Sequence, residues 1–537
     1  MDVRVGKARA AASPQARRAA LAGMALAVLG LCIFLHAYRL SAAPGWDAQE
    51  GYNLDIAWNL AHGNLRLFAL TSAFAQHPPL FYLQLVLAIR IFGYGIVAVR
   101  ALAGLYAVLT CAALLALGRR LLGAGPAIWA GLVYTVAPIM LANTRWGYSY
   151  AQLALVGILC LWAAWCYTQT LDTRWLVTAA VLAGLATFSD YEGIAWVLFV
   201  ALVALRRGWR SCTLAGGIGL AVPSAGMLVC FLAAPSVFAA DFAATYGRAA
   251  GGNLIVQGVA LLVNYYRLVT LDGWLTLGLV GLFIVPARVR GFLLGAVASA
   301  GLVALKVRDL GLSIHTIVPL LPLLALGAGL ALHLGLRRLY AWALEWLAPL
   351  VIRGGASPVE VTEQTAPRLV RFAAAVLVFL AVVSPVGLAL AIDAAGLSSS
   401  FATRQDAILG TPADAQETIT HVLAGARPDD LVLASPELAW AFDHPDGAAS
   451  LHGADLLQTV AQSGRSVSFY PAGLPSTRWA YDVSLGHARF VVVDNLIRQL
   501  AAPGQVDALR PLLTQVERWP VVYTQGQYTV YERPGTT

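Results

Sequence analysis

Between residues 19 and 392 the chain is a succession of apolar stretches, and one polar island, GWDAQEGYNLDIAWNLAHGNLRLFALTSAFAQHPPLFY at 45–82, breaks it. Apolar runs fall near 19–38, 98–118, 123–142, 150–169, 174–189, 191–205, 212–234, 270–286, 291–305, 313–334 and 370–392, about eleven in all. Runs of that length and continuity suit helices that cross a bilayer. Composition agrees: 59% of residues are hydrophobic, 12% are charged, and the mean hydropathy is +0.70. Soluble domains carry about 25% charged residues. The chain therefore reads as an α-helical polytopic membrane protein.

The net charge of +8 is uneven: residues 1–392 carry +14 and residues 393–537 carry −6. Basic residues in a membrane region mark cytoplasmic loops. No basic patch with interleaved aromatics points to nucleic acid. The six cysteines lie in apolar segments, none beyond Cys230, and read as small buried hydrophobes. The basic N-terminus precedes a run long enough to span, so it reads as an uncleaved signal anchor with its N-terminus in the cytoplasm.

The Arg clusters test the topology. Arg119–Arg120, Arg206–Arg207 with Arg210, Arg288 with Arg290, Arg337–Arg338 and Arg353 through Arg371 all fall on the cytoplasmic side if HPPLFYLQLVLAIRIFG (77–93) does not cross. That segment is short, opens with Pro78–Pro79 and carries Arg90. It is expected along the outer interface, inside one long external loop at 41–97. The same topology places Asn143, Arg145 and Tyr148 outside, with Asp190 and Glu192, the segment 235–268, and Lys306, Arg308 and His315.

Residues 393–537 change character. DDLVLAS, SVSFYP and RFVVVDN read as strands, VVYTQGQYTVYERP as a terminal hairpin, and stretches near 413–424, 453–463 and 504–516 as helices. A small extracytoplasmic α/β domain is expected there, without GxGxxG or P-loop patterns.

Ionisable groups beside a membrane are costly unless solvated or paired, so the island is the candidate site. Asp47 and Glu50 share a helix face at i,i+3, and either carboxylate could take a proton from an acceptor hydroxyl. The competing role for Asp47 is to cap a helix. Lys306, Arg308, Arg66, Arg145 and Arg267 are candidate cations for a lipid phosphate; the competing role is snorkelling at span ends. His77 and His315 could meet a metal with Glu192 or Glu50, but their irregular separation is a poor ligand pattern. Asp190 and Glu192 suit pairing with an Arg across the cavity. No motif demands a cofactor, and a divalent metal rests only on those histidines.

WDAQEGYNLDIAWNLAHGN followed by HPPLFY resembles the polyprenyl-phosphate-dependent membrane glycosyltransferases, which include the dolichyl-phosphate-mannose protein mannosyltransferases (glycosyltransferase family 39) and the aminoarabinose transferases of lipid A. The resemblance rests on Glu50, Tyr52, Ile56, Ala57, Asn59, Leu60, Gly63 and His77–Pro78–Pro79–Leu80, and extends through VRALAGLYAVLTCAALLALGRRLLG and HTIVPLLPLLALGAGLAL. It implies a C-type glycosyltransferase fold and transfer of a sugar, with inversion, from a polyprenyl-phosphate carrier to a hydroxyl acceptor on the extracytoplasmic face of the plasma (inner) membrane. Glu50 or Asp47 would be the base. Lys306 and Arg308, helped by Arg66 or Arg267, would hold the phosphate, with His77, Tyr52, Arg145 and His315 nearby. Gln49 stands where the family has the first acid of its pair, and Tyr150 where it has a second external acid. Two rivals stay open: a transporter or lipid flippase, which would favour inverted repeats not visible here, and an inactive member of the family.

Overall fold

The computed structural model describes residues 13–43, 45–63, 78–233, 235, 238, 239, 242, 259, 273–304, 319–351, 368–396, 410–442, 451–464 and 482–535. The chain opens with α1 (Pro14–Ala37), capped by the Ser13 side chain on the Ala16 amide. The island forms α2 (Ala48–Ala61) and the segment after it α3 (Leu80–Phe92). Then follow α4 (Ile96–Leu121), α5 (Ala124–Val136), α6 (Pro138–Arg145), α7 (Ser149–Thr170), α8 (Thr173–Ser189), a 3-10 turn (Tyr191–Gly193), α9 (Ile194–Leu205) and α10 (Trp209–Ala233). Beyond them lie α11 (Gly273–Ile284), α12 (Ala287–Ala304), α13 (Leu321–Val351) and α14 (Arg368–Gly396).

Among the described residues five helices are long and apolar enough to cross a membrane, or six if α5 and α6, bent by 62° at Pro138, are one span. α8, α11 and the stretch Tyr191–Leu205 are shorter apolar helices. At 13 residues α3 reaches only about 20 Å, short of the roughly 30 Å hydrocarbon core. Leu83, Leu87 and Ile91 make one exposed apolar stripe on it, while Phe81, Tyr82 and Leu85 are buried.

Three of the Arg clusters gather at one end of the bundle, around the C-terminus of α7. Arg120 lies over Trp162, Arg207 donates to the Leu171 carbonyl at 2.6 Å, and Arg288 reaches Gln169 and faces the Trp165 ring. The island lies at the other end, beside Gly147 and the N-terminus of α7.

The C-terminal part has α15 (Pro412–Gly425), β1 (Leu431–Ala434), α16 (Pro436–Ala439), β2 (His452–Asp455), α17 (Leu456–Gln462), β3 (Ala488–Val493), α18 (Asn495–Leu500), α19 (Leu509–Val516), β4 (Val521–Gln525) and β5 (Tyr528–Glu532). The sheet order is β2-β1-β3-β5-β4; β2, β1 and β3 run parallel and β5 and β4 pair antiparallel. The expected terminal hairpin is thus present. SVSFYP lies outside the described residues. β2 was not expected as a strand, because HGAD has neither alternation nor β-branched residues.

One sheet face packs under α17 and α19 through Leu433, Val491 and Leu513. The other joins the membrane part. Val432, Phe490, Leu438 and Trp440 share a continuous core with Trp46, Tyr52, Ile56, Phe81 and Val99.

Candidate functional site

The island folds because Asp47 and Glu50 form a reciprocal capping box. Asp47 Oδ1 accepts from the Gln49 amide at 2.8 Å, and Glu50 Oε2 accepts from the Asp47 amide at 3.3 Å. This satisfies amides that begin a helix without partners. Asp47 remains half-buried at the helix start.

Glu50 goes much further. Arg100, on α4, grips it bidentately, Nε to Oε1 at 2.7 Å and an Nη to Oε2 at 2.7 Å, and both side chains are 0% exposed. The Gly147 amide adds a bond to Oε1 at 3.0 Å, and Asn53 Nδ2 returns one to the Gly147 carbonyl at 2.7 Å. Arg100 also donates to the Leu40 and Gly45 carbonyls. A Cβ on Gly147 would press into Val99. Each Glu50 oxygen thus accepts two bonds, as a buried ion pair requires. Glu50, one of the two carboxylates expected as the base, here anchors α2 to α4. Arg100 was not singled out in the sequence; its one signal is that a lone Arg inside an apolar helix needs a partner.

Two other expected site residues have structural duties. Arg145 is 1% exposed and donates to the Ala43, Tyr38 and Leu35 carbonyls, closing the C-terminal end of α1. Its donors are taken up by these carbonyls. The Tyr52 hydroxyl donates to Asp455 Oδ2 at 2.9 Å, so Tyr52 ties α2 to the C-terminal sheet.

That docking is close. A Cβ on Gly51 would fall on the Pro436 carbonyl oxygen. The Trp46 and Trp440 rings lie 5.8 Å apart, and Tyr94 donates to the Trp440 carbonyl at 3.2 Å. At the carboxyl ends of the parallel strands sit Asp455, Glu437 and Asp494. Burial pushes Asp455 up to about 7, partly opposed by the Leu457 amide and the Tyr52 hydroxyl. Burial, with Asp494 nearby, holds Glu437 well above the usual carboxylate range, against the pull of its 2.5 Å bond from Tyr528.

Asp190 is buried beside the start of α7. It accepts from Ser149 Oγ at 3.2 Å and from the Glu192 amide at 3.0 Å. Arg66, His77, Arg267, Lys306, Arg308 and His315 lie outside the described residues. Among the described residues no three His, Cys, Asp or Glu side chains group to hold a metal.

Residues 76–238 match the family profile of the dolichyl-phosphate-mannose-protein mannosyltransferases. Among solved structures, ArnT from Cupriavidus metallidurans, bound to undecaprenyl phosphate, superposes with a TM-score of 0.56 at 16% identity, over 98% of this chain and 99% of that one. The fold is that of the C-type membrane glycosyltransferases. The archaeal oligosaccharyltransferase AglB from Archaeoglobus fulgidus, in complex with an inhibitory peptide and a dolichol-phosphate, shares it with a TM-score of 0.53 at 13% identity, over 97% of this chain and 75% of that one. No curated protein sequence matches the chain. The resemblance carried by the external loop therefore points to the same class of membrane protein as the C-type fold of the whole chain.

Proposed function

We propose that this C-type chain moves a sugar from a polyprenyl-phosphate carrier to a hydroxyl acceptor, at the extracytoplasmic membrane face where the island lies. The observation that carries the reading is the mannosyltransferase profile match at 76–238, separated from the end of the acid-bearing α2 by the fourteen residues 62–75. In a single displacement the acceptor oxygen attacks the anomeric carbon from the side opposite the phosphate. The glycosyl C–O bond breaks, polyprenyl phosphate departs with the electron pair, and a base takes the acceptor proton, giving inversion.

Of the two carboxylates, Asp47 suits the base. It is half-exposed, whereas Glu50 is closed within its ion pair. General-base help is worth about 100-fold or more in rate. The leaving phosphate needs cations. Lys306 and Arg308, with Arg66 or Arg267 and His77, remain the residues proposed for it, since cations in external loops run against the positive-inside bias. Purified protein incubated with a panel of polyprenyl-phosphate sugars, scored for release of polyprenyl phosphate, tests the reading. Consumption of one member supports it; inertness toward all of them, in protein that binds the carrier, favours an inactive relative.

A further inference from the structure

We infer that the cavity between the C-terminal ends of α2 and α3 seats a bilayer phospholipid whose headgroup carries a primary ammonium, as phosphatidylethanolamine does. The cavity holds about 460 Å³. It is lined by Trp58, Ala61 and His62 at the end of α2, and by Arg90, Gly93 and Tyr94 at the end of α3. A volume of that size suits a small-molecule group rather than a single water. Trp58 and His62 lie eleven and fifteen positions past Asp47, about 16–22 Å along α2. A glycosyl carbon is bonded directly to an oxygen of its carrier phosphate, so a carrier held here would not present that carbon to Asp47. This exclusion of the carrier rests on the transferase reading.

Each part of such a lipid has a counterpart. The Trp58 ring lies 4.1 Å from the His62 ring and 4.9 Å from the Tyr94 ring. The group is held in place: His62 Nδ1 donates to the Trp58 carbonyl at 2.8 Å, and the Tyr94 hydroxyl donates to the Trp440 carbonyl at 3.2 Å. Aromatic faces attract a cation. Two helices end here, and the last carbonyls of a helix lack intrahelical donors and carry the negative end of its dipole. Rings and carbonyls together favour a cation that bears N–H donors. Arg90, exposed in the last turn of α3, offers its fork to a phosphate. Next to it runs the stripe of Leu83, Leu87 and Ile91, four residues apart and 56%, 60% and 66% exposed. At 100° per residue Arg90 falls between the cavity-lining Gly93 and that stripe. The sequence of aromatic box, guanidinium and apolar stripe is the sequence of ammonium, phosphate and acyl chains in the lipid.

The test titrates the full chain in detergent with four lipids and reads binding by native mass spectrometry. Three are phosphatidylethanolamine, phosphatidylcholine and phosphatidylglycerol with the same acyl chains; the fourth is undecaprenyl phosphate. The unaltered protein should bind phosphatidylethanolamine about tenfold more tightly than the other two phospholipids, because choline has no N–H for the carbonyls and glycerol no cation for the rings. Trp58→Leu should erase that preference and leave phosphatidylglycerol binding unchanged. Arg90→Gln, at an exposed position, should weaken phosphatidylethanolamine and phosphatidylglycerol alike, about fivefold. Equal binding of the three phospholipids by the unaltered protein overturns the inference. A preference that survives Trp58→Leu, or binding untouched by Arg90→Gln, overturns it too. If undecaprenyl phosphate displaces phosphatidylethanolamine one for one, the cavity is a carrier site; the inference then falls while the transferase reading stands.

Discussion

Buried carboxylates tie α2 down on two opposite sides, and they stay buried by opposite means. On the bundle side Glu50 is neutralised by Arg100 at 2.7 Å. On the sheet side Asp455 is held by a phenol and an amide, with Asp494 close by. The first arrangement sets a guanidinium against the carboxylate. The second lowers its cost by keeping a proton. Tyr52, which reaches the second set, lies two residues from Glu50, roughly 200° around the helix. One short helix thus ties the membrane bundle to the C-terminal sheet, with a permanent joint on one face and a protonatable one on the other.

Removing a cation from the permanent joint should do most harm. Arg100→Met leaves Glu50 charged and dry, and should cost about 3–5 kcal/mol of stability. Thermal unfolding in detergent measures it. The double change Glu50→Met with Arg100→Met should be milder than Arg100→Met alone; a double variant that is worse would mean that the pair contributes far more than mutual compensation.

Next comes the close approach on the other face. Gly51→Val places branched carbons where the Pro436 carbonyl lies, and should cost about 1–3 kcal/mol through forced separation. Faster proteolytic release of the C-terminal part should report it. Release as slow as in the unaltered chain would mean the two parts can slide without loss.

The smallest effect is the proton-dependent one. Asp455 has a folded pKa of about 7 against an ordinary 3.8, so the folded chain binds more protons between roughly pH 4 and 7. Its contribution to stability falls as pH rises through that window and is constant above it. Asp455→Asn should flatten the pH dependence of the melting temperature there; Glu437 and Asp494, also raised by burial, leave some of the slope in place. A slope identical in the variant would remove Asp455 from the joint.

Sequence patterning revealed the parts whose causes are local. The apolar runs, the short α3 with its Pro78–Pro79 start, the hairpin around Gly526 and the capping role open to Asp47 are all set by neighbours in the chain. What escaped it depends on residues far apart. Glu50 and Arg100 are separated by fifty positions and Tyr52 and Asp455 by more than four hundred, and no spacing rule couples them. The bonds from Arg145 to the carbonyls at and beyond the end of α1 likewise join residues about a hundred positions apart. β2 was invisible because its pairing with β1, not its composition, makes HGAD a strand.

The central claim is that the two carboxylates of the capping box divide their labour, Glu50 anchoring and Asp47 reacting. Melting temperature and turnover, measured side by side for Asp47→Asn and Glu50→Gln, test it most directly. Asn caps a helix as well as Asp does, so Asp47→Asn should melt like the unaltered protein while losing about 100-fold or more in turnover. Glu50→Gln should lower the melting temperature and keep turnover per folded molecule within a few-fold. A Glu50→Gln variant that melts normally and is inactive, beside an Asp47→Asn variant that stays active, would contradict the account.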